Sequence, residues 1–139
     1  MIVQGQCTIF KQNLLSGLEN FATGTTQVYK IALYTADAEL NAATLVYTTL
    51  NEVVGTGYVA GGNVLTPIVP ASSDSTAYVS FNNAVWLASS FLCRGALIYN
   101  STTNAAVAVL DFGSDKTASG TFTVIFPPST ATTAVIRFS

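Results

Sequence analysis

The hydrophobic period of this chain changes once. Between Thr8 and Phe21 the apolar residues Phe10, Leu14, Leu15, Leu18 and Phe21 recur mostly three or four apart, the spacing that keeps side chains on one face of an α-helix. Thr8 stands where a hydroxyl accepts from the first free N–H groups of such a helix, so one short amphipathic helix is predicted. From Gln27 onward the pattern becomes brief runs of Val, Ile, Thr and aromatic residues, separated by Gly, Pro, Asn, Asp and Ser. Such runs suit a pleated, half-buried surface, and the separators suit its turns.

Strands are predicted at Gln27–Thr35, Ala77–Asn82, Phe91–Asn100, Ala105–Phe112, Gly120–Phe126 and Thr133–Phe138, with weaker candidates at Leu45–Thr49, Asn63–Ile68 and Val85–Ala88. Several alternate cleanly: Phe122, Val124 and Phe126 share one face, and Tyr78 and Ser80 oppose Val79 and Phe81. Asn100 to Asn104 offers a polar hairpin, and Pro127–Pro128 closes a strand. The fold class expected from this count is all-β, an antiparallel β-sandwich of jelly-roll type with a short N-terminal helix. A single domain spans 1–139, with an N-terminal segment at 1–22 and an exposed glycine-rich arm at 50–63.

Composition adds a statement about the surface. Half of the 139 residues are hydrophobic and 9% are charged, against about 25% charged in an ordinary soluble domain. So little charge implies that much of the surface meets other protein, with Thr, Ser and Asn supplying the remaining solubility. The net charge is −2, and the cations Lys11, Lys30, Arg94, Lys116 and Arg137 form no run, which argues against direct nucleic-acid binding. No apolar stretch approaches the roughly 20 residues of a membrane span, and MIVQGQCTIFKQ lacks the basic and apolar regions of a signal peptide. Synthesis in the cytoplasm is expected, and there Cys7 and Cys93 are best read as two separate buried thiols.

Candidate chemistry is sparse. Without histidine the chain lacks the commonest general base and the commonest metal ligand. Asp37 with Glu39, and Asp111 with Asp115, are the close carboxylate pairs; the first reads as a solvated loop edge and the second as a polar turn. Asp111-Phe112-Gly113 and the glycines of GTGYVAGG lack the surroundings of the nucleotide motifs they mimic. Trp86 with Tyr29, Tyr34, Tyr47, Tyr58, Tyr78 and Tyr99 could line a sugar groove, although aromatics inside strands more often pack a core. Tyr58 lies between glycines, and is expected to point outward and anchor a neighbouring subunit. No catalytic residue, cofactor site or metal site is assigned.

The stretches MIVQGQC (Met1–Cys7), YKIALYTADAELNAAT (Tyr29–Thr44), EVVGTGYVAGG (Glu52–Gly62), CRGALIYNST (Cys93–Thr102) and VLDFGSDKTASGTFTVIFP (Val109–Pro127) resemble those of small structural proteins of tailed-bacteriophage virions. The resemblance covers nearly the whole chain. It implies a non-enzymatic, β-rich component of the virion, made in the bacterial cytoplasm, of the kind that decorates or cements a capsid, with no cofactor. The implied partners are the major capsid protein and other copies of the chain, without nucleic acid or membrane. Termini and long loops are free to reach, so Met1, Ile2, Val3, Phe10, Val54, Tyr58 and Val59 are the expected contact residues. A neck, tail or adaptor component and an exterior glycan- or receptor-binding module are the alternatives.

Overall fold

A computed structural model describes residues 1–139. In chain order the elements are β1 (Gly5–Gln6), α1 (Thr8–Leu15), β2 (Tyr29–Tyr34), β3 (Asn63–Leu65), β4 (Ala71–Ser73), β5 (Thr76–Val79), β6 (Ala84–Asn100), β7 (Ala105–Val124) and β8 (Ile136–Phe138). The chain is mostly β, with one short helix and two antiparallel sheets. The larger sheet runs β1-β7-β6-β2-β3 and the smaller β4-β5-β8.

The helix is shorter than its apolar spacing implied. Cys7, extended at φ −76° and ψ 140°, is the N-cap and makes no side-chain capping bond, so Thr8 belongs to the first turn instead of capping it. Ser16 closes the helix, and Gly17 at φ +74° turns the chain away in the left-handed conformation that glycine adopts without steric cost. Phe21 still reaches the core, stacked on Tyr29 at 4.4 Å and edge-on to Phe10 at 5.9 Å.

Four predicted strands fuse into one long hairpin. Val85–Ala88 and Phe91–Asn100 are both parts of β6, while Ala105–Phe112 and Gly120–Phe126 lie almost wholly in β7. The expected turn joins them, with Asn104 at φ +65°. The interruptions that looked like turns are bulges. Leu87 and Ala88 together face Thr121 between the pairs Trp86–Phe122 and Ser89–Gly120, and Ala88 takes φ +48°. Phe112–Asp115 bulge out opposite Arg94 alone, between Gly95–Asp111 and Cys93–Lys116. There the Gly113 N–H donates to Asp111 Oδ1 at 2.9 Å, and Arg94 Nε lies 3.3 Å from the same oxygen. That N–H bond, with Arg94 beside it, holds the Asp111 carboxyl below its usual range. Turn chemistry is present, but the ladder resumes beyond it.

The other two weaker candidates contribute less. Leu45–Thr49 makes one bridge, Val46 to Ala105, and Asn63–Ile68 shrinks to β3 with a bridge from Pro67 to Phe81. β4 was not anticipated; it pairs with β5 across a tight turn at Asp74, φ +52°. One cluster of buried residues joins the helix and both sheets, including Phe10, Ile31, Leu33, Val79, Leu97 and Ile136. Full burial of each large side chain contributes about 1.5–3 kcal/mol. Cys7 and Cys93 are free and buried, and burial pushes their thiols up to about 11 and about 12.

Glu19 is buried beside this core. Its Oε2 accepts from the Tyr29 hydroxyl at 2.8 Å and from Asn100 Nδ2 at 3.4 Å, which ties the segment after the helix to the hairpin. Burial raises its carboxyl above the ordinary 4.5, against the pull of those two bonds. Below that value the group is protonated in folded and unfolded chains alike. Above it the unfolded chain ionises while the folded one keeps its proton, so the stability this group contributes falls as pH rises through its folded value. Wild-type protein is therefore expected to lose melting temperature, relative to Glu19→Gln, as pH is raised from 4.5 toward neutrality. Parallel melting curves for the two proteins would refute this.

Candidate functional site

The segment at 50–63 was expected to be a free arm. Instead it is fastened to the sheet along its length. Thr35 N–H donates to the Asn51 carbonyl at 3.0 Å and Val53 N–H to the Leu33 carbonyl at 2.9 Å, so the segment runs beside the end of β2 and turns Glu52 inward. Ser90 N–H donates to the Thr56 carbonyl at 2.9 Å, which fastens the next stretch to β6.

Glu52 is 6% exposed and has every donor it needs. Oε1 accepts from the Tyr47 hydroxyl at 2.6 Å; Oε2 accepts from the Tyr58 hydroxyl at 2.6 Å and from Gly61 N–H at 2.8 Å. Tyr58 Oη in turn accepts from Leu33 N–H at 2.9 Å. Tyr99 donates to the Gly61 carbonyl at 2.7 Å and stacks on Tyr47 at 4.6 Å. Burial, followed by the hydrogen bond to Glu52, pushes the Tyr47 and Tyr58 hydroxyls well above their ordinary value. Burial and the nearby Glu52 push Tyr99 up to about 12. All three stay protonated and donating at neutral pH.

The glycines permit this contact. A Cβ at Gly62 would sit 1.8 Å from the Ile31 carbonyl oxygen, one at Gly57 2.7 Å from Ser89 Cα, and one at Gly55 2.7 Å from the Ser90 carbonyl oxygen. Each glycine lets backbone lie flat on backbone. Tyr58 is therefore not an outward anchor: its ring packs beside Trp86 at 6.3 Å and Phe91 at 5.8 Å. A tyrosine among glycines looks mobile until the carboxyl that holds its hydroxyl is located.

The remaining contact candidates divide by exposure. Val54 and Val59 stand 95% and 77% exposed on the fastened loop, and Met1 and Val3 also face outward. Ile2 is buried, where a Cβ on Gly95 would strike it, and Phe10 has no exposed surface, so neither is available to a partner. Sequence inspection missed Leu87, Leu92 and Ile125, exposed on the outer face of the hairpin; alternation against Trp86, Phe91 and Val124 is the signal that marks them. Tyr29, Tyr34, Tyr47, Tyr58 and Tyr99 all spend their hydroxyls within the chain. Tyr78 borders an apolar cleft of about 140 Å³ between α1 and the small sheet, lined also by Phe10, Leu14, Phe21, Ile136 and Phe138. Asp37 and Glu39 are exposed, as a solvated loop edge should be.

Tyr58→Phe removes a donor to Glu52 and the acceptor of the Leu33 N–H, and is expected to cost about 1–3 kcal/mol in urea unfolding. Hydrogen exchange should accelerate at Leu33 and Gly61 before it does in β6. Gly62→Ala, whose added carbon has no room, should cost at least as much. Wild-type stability in both variants would show that the loop is not held by this network. Comparison of the chain with protein-family models, with curated proteins and with solved structures yields no match.

Proposed function

We propose that this chain is a non-enzymatic structural component of a tailed-bacteriophage particle, acting as a decoration or cement protein on the capsid. The observation that carries the proposal is a loop, fastened to the sheet through Glu52, that holds Val54 and Val59 95% and 77% exposed. Exposed apolar groups on a preorganised support gain contact energy without a large ordering cost. The scarcity of charge and the likeness of five stretches to small virion proteins support the same role. The larger and smaller sheets are taken as the layers of a jelly-roll-like sandwich.

In this role the chain straddles neighbouring subunits of the major capsid protein, alongside copies of itself, with no direct contact to nucleic acid or membrane. Each interface is modest. Many acting together raise the force needed to open the shell, because rupture requires several contacts to break at once.

Val54→Asp combined with Val59→Asp puts charge where burial is needed. The pair is expected to weaken co-sedimentation with purified shells by about tenfold or more while leaving the melting temperature nearly unchanged. Undiminished binding would remove the loop from the interface. Quantitative gels of intact particles should give hundreds of copies; a handful per particle would move the chain to a neck or tail ring.

A further inference from the structure

Residues 17–27 run from the end of α1 to β2 as a strap that few contacts hold down. Only Glu19 and Phe21 are buried in it. Its turns at Gly17 and Gly24, at φ +74° and +82°, have open space where a side chain would begin. Beyond the helix end, the strap's backbone makes one hydrogen bond to the rest of the chain, from Asn20 N–H to the Tyr29 hydroxyl at 3.0 Å. Phe21 is the apolar fastening, stacked on Tyr29 and edge-on to Phe10 and Phe81 at 5.9 Å each. The polar fastening is Glu19, through Tyr29 and Asn100, with Gln27 Oε1 accepting from the same Asn100 amide at 2.8 Å.

Glu19 and Glu52 are equally buried, at 6% exposure, but they are provided for differently. Glu52 has donors at both oxygens. Glu19 Oε1 is buried and accepts no hydrogen bond, and the two donors to Oε2 are neutral. The titratable group that faces it is the Tyr29 hydroxyl of β2, which burial holds above its ordinary value and so protonated. β6 presents only the amide of Asn100, and the strap itself the amide of Gln27. The chain's two ion pairs, Met1–Glu39 and Arg94–Asp111, lie elsewhere. A carboxylate placed here is out of water with no cation to offset the loss, whereas the uncharged acid is far easier to bury.

We propose that Glu19 is a pH-sensitive latch: its protonated carboxyl keeps the strap closed, and its ionisation frees residues 17–27 and lifts Phe21 off the rings of Phe10, Tyr29 and Phe81. Both sheets survive the opening, because no ladder bond of either passes through the strap. Phe21 is also a wall of the apolar cleft between α1 and the small sheet, so opening widens that cleft. The direction follows from proton linkage. The closed strap holds the Glu19 proton above the ordinary 4.5. Below that value the carboxyl is protonated whether the strap is open or closed, and opening is independent of pH. Above it, opening releases a proton, and the open form gains by up to about tenfold per pH unit until the closed form ionises too. The latch is independent of the particle role.

Amide hydrogen exchange of the full chain between about pH 5 and 8, referred to the intrinsic rate at each pH, tests the latch. Asn20 N–H should exchange about tenfold or more faster than Leu97 N–H in the central ladder, because the strap opens without the sheets. Its protection should fall with rising pH by up to about tenfold per unit, and Glu19→Gln, which stays neutral, should hold it level. In wild-type protein the Glu19 carboxyl carbon resonance should titrate above 4.5. Asn20 exchanging in step with Leu97 would overturn the latch, since the strap would then open only with the whole fold. So would an equal loss of protection in Glu19→Gln, or a Glu19 carboxyl that titrates at its ordinary value.

Discussion

The antiparallel ladder between Ala84–Asn100 and Ala105–Val124 is the constraint on which the other elements depend. β1 is only two residues long and exists because β7 offers it a partner at Val109 and Ala108. β2 is laid along the inner half of β6 from Gly95 to Asn100, and β3 follows on β2. The glycine loop borrows Ser90 from the same strand. A two-stranded ribbon of this length is marginal by itself in water. It persists here because Gly95–Asn100 and Ala105–Val109, the half next to the turn, are buried on both faces, and because β2 covers part of its edge.

Against that frame the loop at 50–63 solves a polar problem and a steric one together. Fastening a loop to a sheet buries backbone groups and, in this chain, a carboxyl, which is tolerable only when every lone pair and donor is matched. Tyr47, Tyr58 and Gly61 provide the match for Glu52, and the glycines let the backbones approach closely enough for the bonds to form. The result is a fastened shelf from which Val54 and Val59 point outward while Val53 packs in the core. For the capsid role proposed above, a shelf fastened in advance loses little entropy on docking.

The surface that remains is unusual in kind. Few charges guard it, and apolar residues such as Leu50, Leu87 and Ile125 share it with hydroxyl side chains. Natural monomers keep such patches small, because they promote association. The proposed capsid role has the opposite need, and a hydroxyl-rich, weakly charged face allows close approach without like-charge repulsion.

The amino-acid order by itself determined the β class, the single short helix, the polar turn before Ala105 and the inward character of most aromatics, because periodicity and turn preference are local properties of neighbouring residues. It also gave the stretch from Asp111 to Asp115 as a polar turn, whose chemistry is present within a bulge. Tertiary structure alone decided that the flanking strands continue through that bulge, since only pairing with Cys93 and Gly95 across the hairpin restores the register. Tertiary structure also decided that the glycine run is a shelf and not an arm. Glycine permits mobility and close approach equally, and the choice between them lies with Ile31, Ser89 and Ser90, more than twenty residues away along the chain. Ile2 was displaced from the surface for the same reason, since its burial depends on Gly95 arriving from a distant segment, whereas the inward side of Phe10 was already written in the apolar spacing it shares with Phe21.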